Sequence, residues 1–218
     1  MSRVDEKAPE LIVEAWVQGE PSSIAKEEGK VILIEVFQVN CPGCFIHGFP
    51  EVIEIYNQYQ SQPLVVWGLA TAFEDFDKNN LENLKTLLRT GEVIGDTLEA
   101  MNRSALLNAN RLEYPISFPV SWDQLKKNTE DVSAENIQKI IRRDFDTFDS
   151  LPAKTQGMIA QQVKTYLKQK IYSAQTFETY ELRGTPSSIL IDKKGILRHK
   201  LFGSDQGLQE KVKLLLDE

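Results

Sequence analysis

The chain has 218 residues, of which 41% are hydrophobic and 26% are charged, and its formal net charge at pH 7 is −7. These values are typical of a globular protein that can bury a sizeable core. The negative charge argues against nucleic acid as a partner and disfavours binding to an anionic membrane surface.

The N-terminal sequence MSRVDEKAPELIVEAW carries early acidic residues and lacks the long apolar core of a signal peptide. No apolar run in the chain approaches the roughly 20 residues needed to cross a bilayer. We therefore expect a cytoplasmic protein that does not act at a membrane.

Two apolar segments in the first half of the chain predict buried strands. The first is VILIEVF at 31–37, which contains one acid, Glu35, and is typical of a central parallel strand. The second is LVVWGLA at 64–70. Between them, apolar residues at helical spacing predict a helix, which Pro50 is expected to kink.

The next elements are predicted to be a helix at 78–91, a looser helix at 94–110 and a short strand at 116–122. Residues 123–180 are rich in polar side chains, and their apolar residues recur at helical spacing. We interpret this segment as an insertion of two or three helices.

Alternating apolar residues on both sides of the turn at 192–195 predict a β-hairpin, and the last residues, DQGLQEKVKLLLDE, predict a final helix. The early alternation of strands and helices implies parallel strands, and the hairpin adds antiparallel ones. The sequence therefore predicts a mixed sheet with helices on both faces.

The two cysteines of the chain, Cys41 and Cys44, are three residues apart, too close for a bridge between them to stabilise the fold much. Cys41 lies between a predicted strand and a predicted helix, where backbone N–H groups and the helix dipole stabilise an anion. We expect Cys41 to be the attacking thiolate, and Cys44, one helical turn later, to resolve the mixed disulfide.

Metal binding is an alternative, because Cys41, Cys44 and His47 could supply three ligands from one turn of helix. Structural zinc needs four ligands, and haem attachment needs a histidine where the chain has Phe45. We therefore expect neither a metal nor another cofactor.

Glu35 stands six residues before Cys41 inside an apolar strand, where an acid is costly without a partner or a role. Burial would raise its pKa and let it accept a proton from Cys44 through water. An exposed edge or a salt bridge is the alternative interpretation.

Pro186, directly before the hairpin strand, would present the backbone of Thr185 to a substrate if its peptide bond were cis. From the sequence alone, an ordinary trans proline is favoured. Phe73, in the loop after the second strand, is expected to shape a substrate groove near the carboxyl ends of the strands.

Three features together resemble the thioredoxin superfamily: Cys-Pro-Gly-Cys after a buried strand, an acid six residues before it, and the stretch GTPSSILIDKKG. The segments KAPELIVEAW and GKVILIEVF are similar to its redoxin branch, which groups TlpA-type reductases with alkyl hydroperoxide reductase-like proteins. The resemblance covers about residues 8–122 and 181–218.

The resemblance implies a thioredoxin-like three-layer α/β/α sandwich with a mixed central sheet, formed by 1–122 and 181–218, with the helical insertion 123–180 within it. It also implies that Cys41 is the nucleophile, that Cys44 resolves, and that Pro186 is a cis-proline facing the disulfide. Glu35 matches the buried acid of thioredoxin. Residues expected to contact the substrate are Thr185, Asn40, Pro42, Gly43 and Phe73.

The chain departs from the family pattern at several positions. Asn40 replaces the tryptophan that usually precedes the first cysteine, and Pro50 lies nine residues after Cys41 instead of eight. Gln38 and Ile34 stand where peroxiredoxins carry Thr or Ser and Pro, so the peroxide-activating residues are not visible.

We thus expect a thiol–disulfide oxidoreductase that acts on a protein or small-molecule disulfide and is recharged by a thiol electron donor. A thiol peroxidase with Cys41 as its peroxidatic residue is one alternative. A non-enzymatic metal-binding or interaction module is the other. The insertion is predicted to cover part of the site and restrict the substrate, with dimerisation as the alternative role.

Overall fold

A computed structural model of the chain describes residues 2–129, 132–204 and 207–218. The chain forms two compact units, one made of Met1–Gln124 with Ala174–Glu218 and the other of Leu125–Ser173. None of the described helices has the length and apolar character needed to span a membrane.

The strands are β1 (Val13–Gln18), β2 (Val31–Phe37), β3 (Leu64–Ala70), β4 (Leu107–Asn108), β5 (Arg111–Leu112), β6 (Val120–Asp123), β7 (Leu125–Lys127), β8 (Tyr172–Ala174), β9 (Ser187–Ile191) and β10 (Leu197–Phe202). The α-helices are α1 (Phe49–Gln58), α2 (Leu81–Thr90), α3 (Gly95–Arg103), α4 (Ala134–Asp144), α5 (Ala153–Gln169), α6 (Gln175–Thr179) and α7 (Leu208–Asp217). Short 3₁₀-helices occupy Ile24–Glu27 and Phe148–Ser150, and a π-helix occupies Cys44–Gly48.

The central sheet of the first unit has six strands in the order β1-β6-β3-β2-β9-β10. β2 runs parallel to β3, and β3 runs parallel to β6, whereas β1, β9 and β10 join antiparallel. Every residue of β2 is buried, as its continuous apolar sequence predicts. Parallel pairing places the carboxyl ends of β2, β3 and β6 at one edge of the sheet, where the cysteine motif follows β2.

The predicted strands at 31–37 and 64–70 and the predicted hairpin are confirmed. Helix α2 begins later than the predicted 78, because the Asn80 side chain accepts a hydrogen bond from the N–H of Asn83 and caps the helix. It ends at Gly91, whose φ of 74° is left-handed.

The looser helix predicted at 94–110 is wrong in its second half. Helix α3 ends at Arg103, and the chain then forms the small antiparallel pair β4 and β5. Strand β1 was not predicted, because it is a partly exposed edge strand with irregular pairing to β6 and lacks a continuous apolar run.

The second unit has a core of its own, formed by Ile141 from α4 and by Ile159, Val163 and Leu167 from α5. The sequence placed the insertion at 123–180, but residues 174–180 pack with the first unit. The reason is Asp123, whose carboxylate accepts hydrogen bonds from the N–H groups of Thr176 and Phe177 at the start of α6.

Candidate redox site

Cys41 and Cys44 form a disulfide at the carboxyl end of β2, with their Cα atoms 5.5 Å apart. Cys41 retains 8% of its surface exposed, whereas Cys44 is 0% exposed. Of the two cysteines, Cys41 is therefore the one with surface open to an external molecule.

The backbone N–H of Cys44 donates a hydrogen bond to Cys41 Sγ, with a donor–acceptor distance of 3.3 Å. The same N–H also donates to the carbonyl oxygen of Cys41 at 3.0 Å, so the carbonyl and the sulfur of Cys41 share this donor. Pro42 suits the first turn after the strand, because its missing N–H would have had no partner there. A donor aimed at the sulfur favours the thiolate of Cys41 once the disulfide is reduced.

The helix that carries Cys44 begins at residue 42, and its residues Cys44–Gly48 form a π-helix. The N–H of Phe49 donates to the carbonyl of Cys44, five residues earlier, so this turn holds one residue more than an α-helical turn. The extra residue accounts for the position of Pro50, nine residues after Cys41. Pro50 lies inside this helix, as the sequence predicts, directly after the π-helical turn. The predicted kink at Pro50 stays a prediction.

The Thr185–Pro186 peptide bond is cis. The trans proline favoured by the sequence alone is therefore wrong, and the cis-proline implied by the resemblance is confirmed. Pro186 is buried against the cysteine helix. A Cβ atom added to Gly43 would lie 3.4 Å from Pro186 Cδ, and one added to Gly48 would lie 3.1 Å from its Cβ. Pro186 and half-buried Thr185 thus border the cysteine motif, together with Pro42 and Gly43.

Glu35 is fully buried in β2, so its predicted alternative as an exposed edge residue is wrong. Ser188, directly opposite in β9, donates its hydroxyl hydrogen to Glu35 Oε2 at 2.9 Å. Oε1 has no hydrogen-bond partner among the described residues. Burial raises the pKa of Glu35 to about 8, although the hydrogen bond from Ser188 acts in the opposite direction.

Gly48 connects the buried acid with the cysteine helix. A Cβ atom at this position would overlap with Glu35 Oε1, so glycine lets the helix pass directly over the carboxyl group. The extra residue of the π-helix therefore lies between Cys44 and the contact with Glu35.

Asn40 is tied to two other segments instead of lying open at the surface. The N–H of Asp96, at the start of α3, donates to Asn40 Oδ1 at 2.7 Å, and Asn40 Nδ2 donates to Asp75 Oδ2 at 3.1 Å. The backbone N–H of Asn40 donates to Asn79 Oδ1 at 2.8 Å. These bonds fix the residue before Cys41, and the predicted contact between Asn40 and substrate stays a prediction.

Phe73 is hydrogen-bonded to Gln38, three residues before Cys41. The side-chain oxygen of Gln38 accepts this bond from the N–H of Phe73 at 3.1 Å. The Phe73 ring stacks on Phe177, with ring centroids 4.6 Å apart. The pKa of the adjacent Glu74 is raised by burial and by Asp75, against a hydrogen bond with Gln38. Gln38 therefore joins the loop after β3 to the segment that leads into Cys41.

Within the described ranges, no group of three or more His, Cys, Asp or Glu side chains is placed to hold a metal ion. His47, suggested as a third ligand beside the cysteines, is exposed on the π-helix. Ser188, Asn79, Asp75 and Asp96 were not predicted as part of the site, because their contacts depend on strand register and loop packing that no local pattern encodes.

No protein-family model matches the sequence, and no curated protein matches it. Among solved structures, the chain is similar to the thioredoxin-like superfamily protein SPOA0173 and to a thiol-disulfide isomerase from Corynebacterium glutamicum. Each is 27% identical with a TM-score of 0.59, and each comparison covers 98% of this chain and 97% of that chain. A thioredoxin-like protein in its oxidized form is 18% identical, with a TM-score of 0.54 over 98% of this chain and 96% of its own, and shows the fold alone.

The chain therefore has a thioredoxin-like α/β fold with a mixed sheet, as the sequence predicted. The two structures at 27% identity carry the names of a thioredoxin-like superfamily protein and a thiol-disulfide isomerase, which confirms the predicted resemblance to the thioredoxin superfamily. The neighbours and the Cys41–Cys44 disulfide together support a redox function.

Proposed function

We propose that this chain is a thiol–disulfide oxidoreductase in which Cys41 attacks the substrate and Cys44 resolves the intermediate. One observation carries the assignment of roles. Cys41 is the partly exposed cysteine and its sulfur accepts a backbone hydrogen bond, whereas Cys44 is fully buried. The likeness to a thiol-disulfide isomerase from Corynebacterium glutamicum supports the same class of reaction.

The reaction begins with the reduced pair. The Cys41 thiolate attacks one sulfur of the substrate disulfide, the substrate S–S bond breaks, and a substrate thiolate leaves. Cys44 then loses its proton and attacks Cys41 Sγ, which releases the second substrate thiolate. Two electrons have passed from the pair to the substrate, and a dithiol donor reduces the Cys41–Cys44 disulfide for the next cycle.

Glu35 is the proposed proton acceptor for Cys44. Its carboxyl lies under Gly48 on the helix that carries Cys44, and Oε1 has no partner among the described residues. With a pKa of about 8, part of the Glu35 population is ionised near neutral pH, and this ionised form can accept the proton of Cys44. A proton relayed through water would link the two groups.

The substrate is proposed to lie along the cis-proline segment. The Thr185 backbone precedes Pro186, which packs against the cysteine helix, so a bound polypeptide or small disulfide at this place is brought to Cys41. The direction of electron flow as a reductase and the cytoplasmic location both stay predictions.

Trapping of the mixed disulfide tests the assignment. We expect Cys44→Ser to accumulate a covalent adduct at Cys41 with a disulfide substrate, and Cys41→Ser to form none. In the reduced protein, alkylation of Cys41 with iodoacetamide should titrate well below the ~8.5 of free cysteine. The double variant Cys41→Ser with Cys44→Ser is the control for background labelling.

An ordinary cysteine pKa at Cys41 together with the absence of any adduct would contradict the proposal. Rapid stoichiometric oxidation of Cys41 by hydroperoxide, followed by turnover with a dithiol, would instead favour the thiol peroxidase.

A further inference from the structure

The π-helical turn leaves one carbonyl without its helical partner. The N–H of Phe49 donates to Cys44, so the next carbonyl in the same pattern, that of Phe45, would need the N–H of residue 50. That residue is Pro50, which has no N–H. The carbonyl of Phe45 is thus deprived of a ladder hydrogen bond at the start of the helix that carries Cys44.

Tyr114 supplies the missing donor from a distant part of the chain. Its hydroxyl donates a 2.6 Å hydrogen bond to the carbonyl oxygen of Phe45. Burial raises the pKa of the Tyr114 hydroxyl, which keeps it protonated and able to donate at neutral pH. The bond ends in a buried region, since the Phe45 ring is enclosed by Phe37 and Phe49.

We propose that Tyr114 is a positioning residue that holds the π-helical turn in register, and thereby sets how readily Cys44 closes its disulfide with Cys41. The inference deepens the proposed function and rests on it. Residues 44 to 48 connect the resolving cysteine to Gly48, which lies over Glu35 and Pro186. The hydrogen bond from Tyr114 to Phe45 therefore restrains both Cys44, at the start of this turn, and Gly48, at its end.

The direction of the effect follows from the geometry of disulfide formation. The oxidised pair requires two sulfurs at bonding distance, whereas the dithiol has no such requirement. A tether that holds the turn in place therefore raises the effective concentration of one thiol at the other and stabilises the disulfide. Loss of the tether should make the pair easier to reduce.

The test is a redox equilibrium of the Cys41–Cys44 pair with glutathione, measured on the full chain without any substrate. We expect Tyr114→Phe to lower the equilibrium constant for oxidation by at least about threefold, the effect of losing roughly one hydrogen bond. Tyr180→Phe is the matched control, because the Tyr180 hydroxyl also donates to a carbonyl, that of Pro9, outside the cysteine motif. It should leave the constant unchanged.

A double-mutant cycle with Pro50→Ala examines the cause. Alanine restores an N–H at position 50, which offers Phe45 a backbone donor, so Tyr114→Phe should have at most half its effect in this background. An equal effect in both backgrounds, or one no larger than that of Tyr180→Phe, would overturn the inference. The proposed function fails separately, through the absence of substrate adducts at Cys41.

Discussion

Ser188 and Glu35 face each other on neighbouring antiparallel strands, and the serine hydroxyl donates to one oxygen of a fully buried carboxyl. A donor stabilises the ionised carboxylate more than the neutral acid. The serine therefore moderates how far burial raises the pKa of Glu35.

We predict that Ser188→Ala raises the pKa of Glu35 above its wild-type value of about 8, since the hydrogen bond that opposes burial is lost. Carboxyl titration by ¹³C NMR measures this pKa directly, and the pH profile for reaction of the reduced pair with a disulfide should move upward with it. Ser121→Ala is a suitable control, because Ser121 is also a buried strand serine but donates to the carbonyl of Gly68. A Glu35 pKa that does not move in Ser188→Ala would contradict the prediction.

The pH dependence of stability gives a second prediction. The pKa of Glu35 is about 8 in the folded chain and about 4.5 when unfolded, so between these values the folded state binds more protons than the unfolded state. Stability should therefore fall as pH rises from 4.5 to 8, by at most about 1.4 kcal/mol per pH unit from this group.

Urea unfolding of the oxidised protein at a series of pH values tests this. Glu35→Gln should remove the Glu35 contribution to the slope and should be more stable than the wild type at pH 9. Equal slopes in the two proteins would show that Glu35 is not the source.

Gly48 should tolerate no side chain. Gly48→Ala places a methyl group on the Glu35 carboxyl, and we expect a loss of about 1–3 kcal/mol together with an altered Glu35 titration. Tryptophan fluorescence during urea unfolding measures the first unit, because Trp16, Trp67 and Trp122 all lie within it.

Gly157→Ala is the matched control for Gly48→Ala. It lies in helix α5 of the second unit, where an added Cβ meets nothing within 4 Å, so it adds no clash and should not weaken the first unit that the fluorescence reports. Similar losses in the two variants would argue against a specific contact with Glu35.

Asn40 is expected to matter for stability as well as for the position of Cys41. Asn40→Ala leaves the N–H of Asp96 without its acceptor and removes the amide that lies between Asp75 and Asp96. We expect a loss of about 1–3 kcal/mol and faster reduction of the disulfide by dithiothreitol. Asn57→Ala, on the exposed face of α1, should change neither measurement.

The central strands were predictable because β2 and β3 are long apolar runs that are buried on both faces. The reactive pair was predictable because its chemistry is local, within four consecutive residues. Strand β1 was not, since an edge strand with half-exposed residues leaves no clear period in the sequence.

The hydrogen-bond partners of the site residues could not be predicted, because they lie far apart in the sequence. Ser188 lies 153 residues from Glu35, and their contact follows from strand register, which the sequence of either strand does not specify. The π-helix did leave a trace, because Pro50 stands one residue further from Cys41 than the family pattern, and a one-residue insertion in a helix is typical of a π-turn.

Asp123 and Gln124 are hydrogen-bonded to the residues that follow the second unit, so the chain segments before and after that unit lie side by side. The carbonyl of Gln124 accepts a hydrogen bond from the N–H of Gln175 at 2.9 Å, and Asp123 caps α6 next to it. Chain ends that already meet at a hydrogen-bonded stem form a natural graft point. Residues 125–173 should therefore be exchangeable for a short turn, or for a foreign module, with the redox pair left intact.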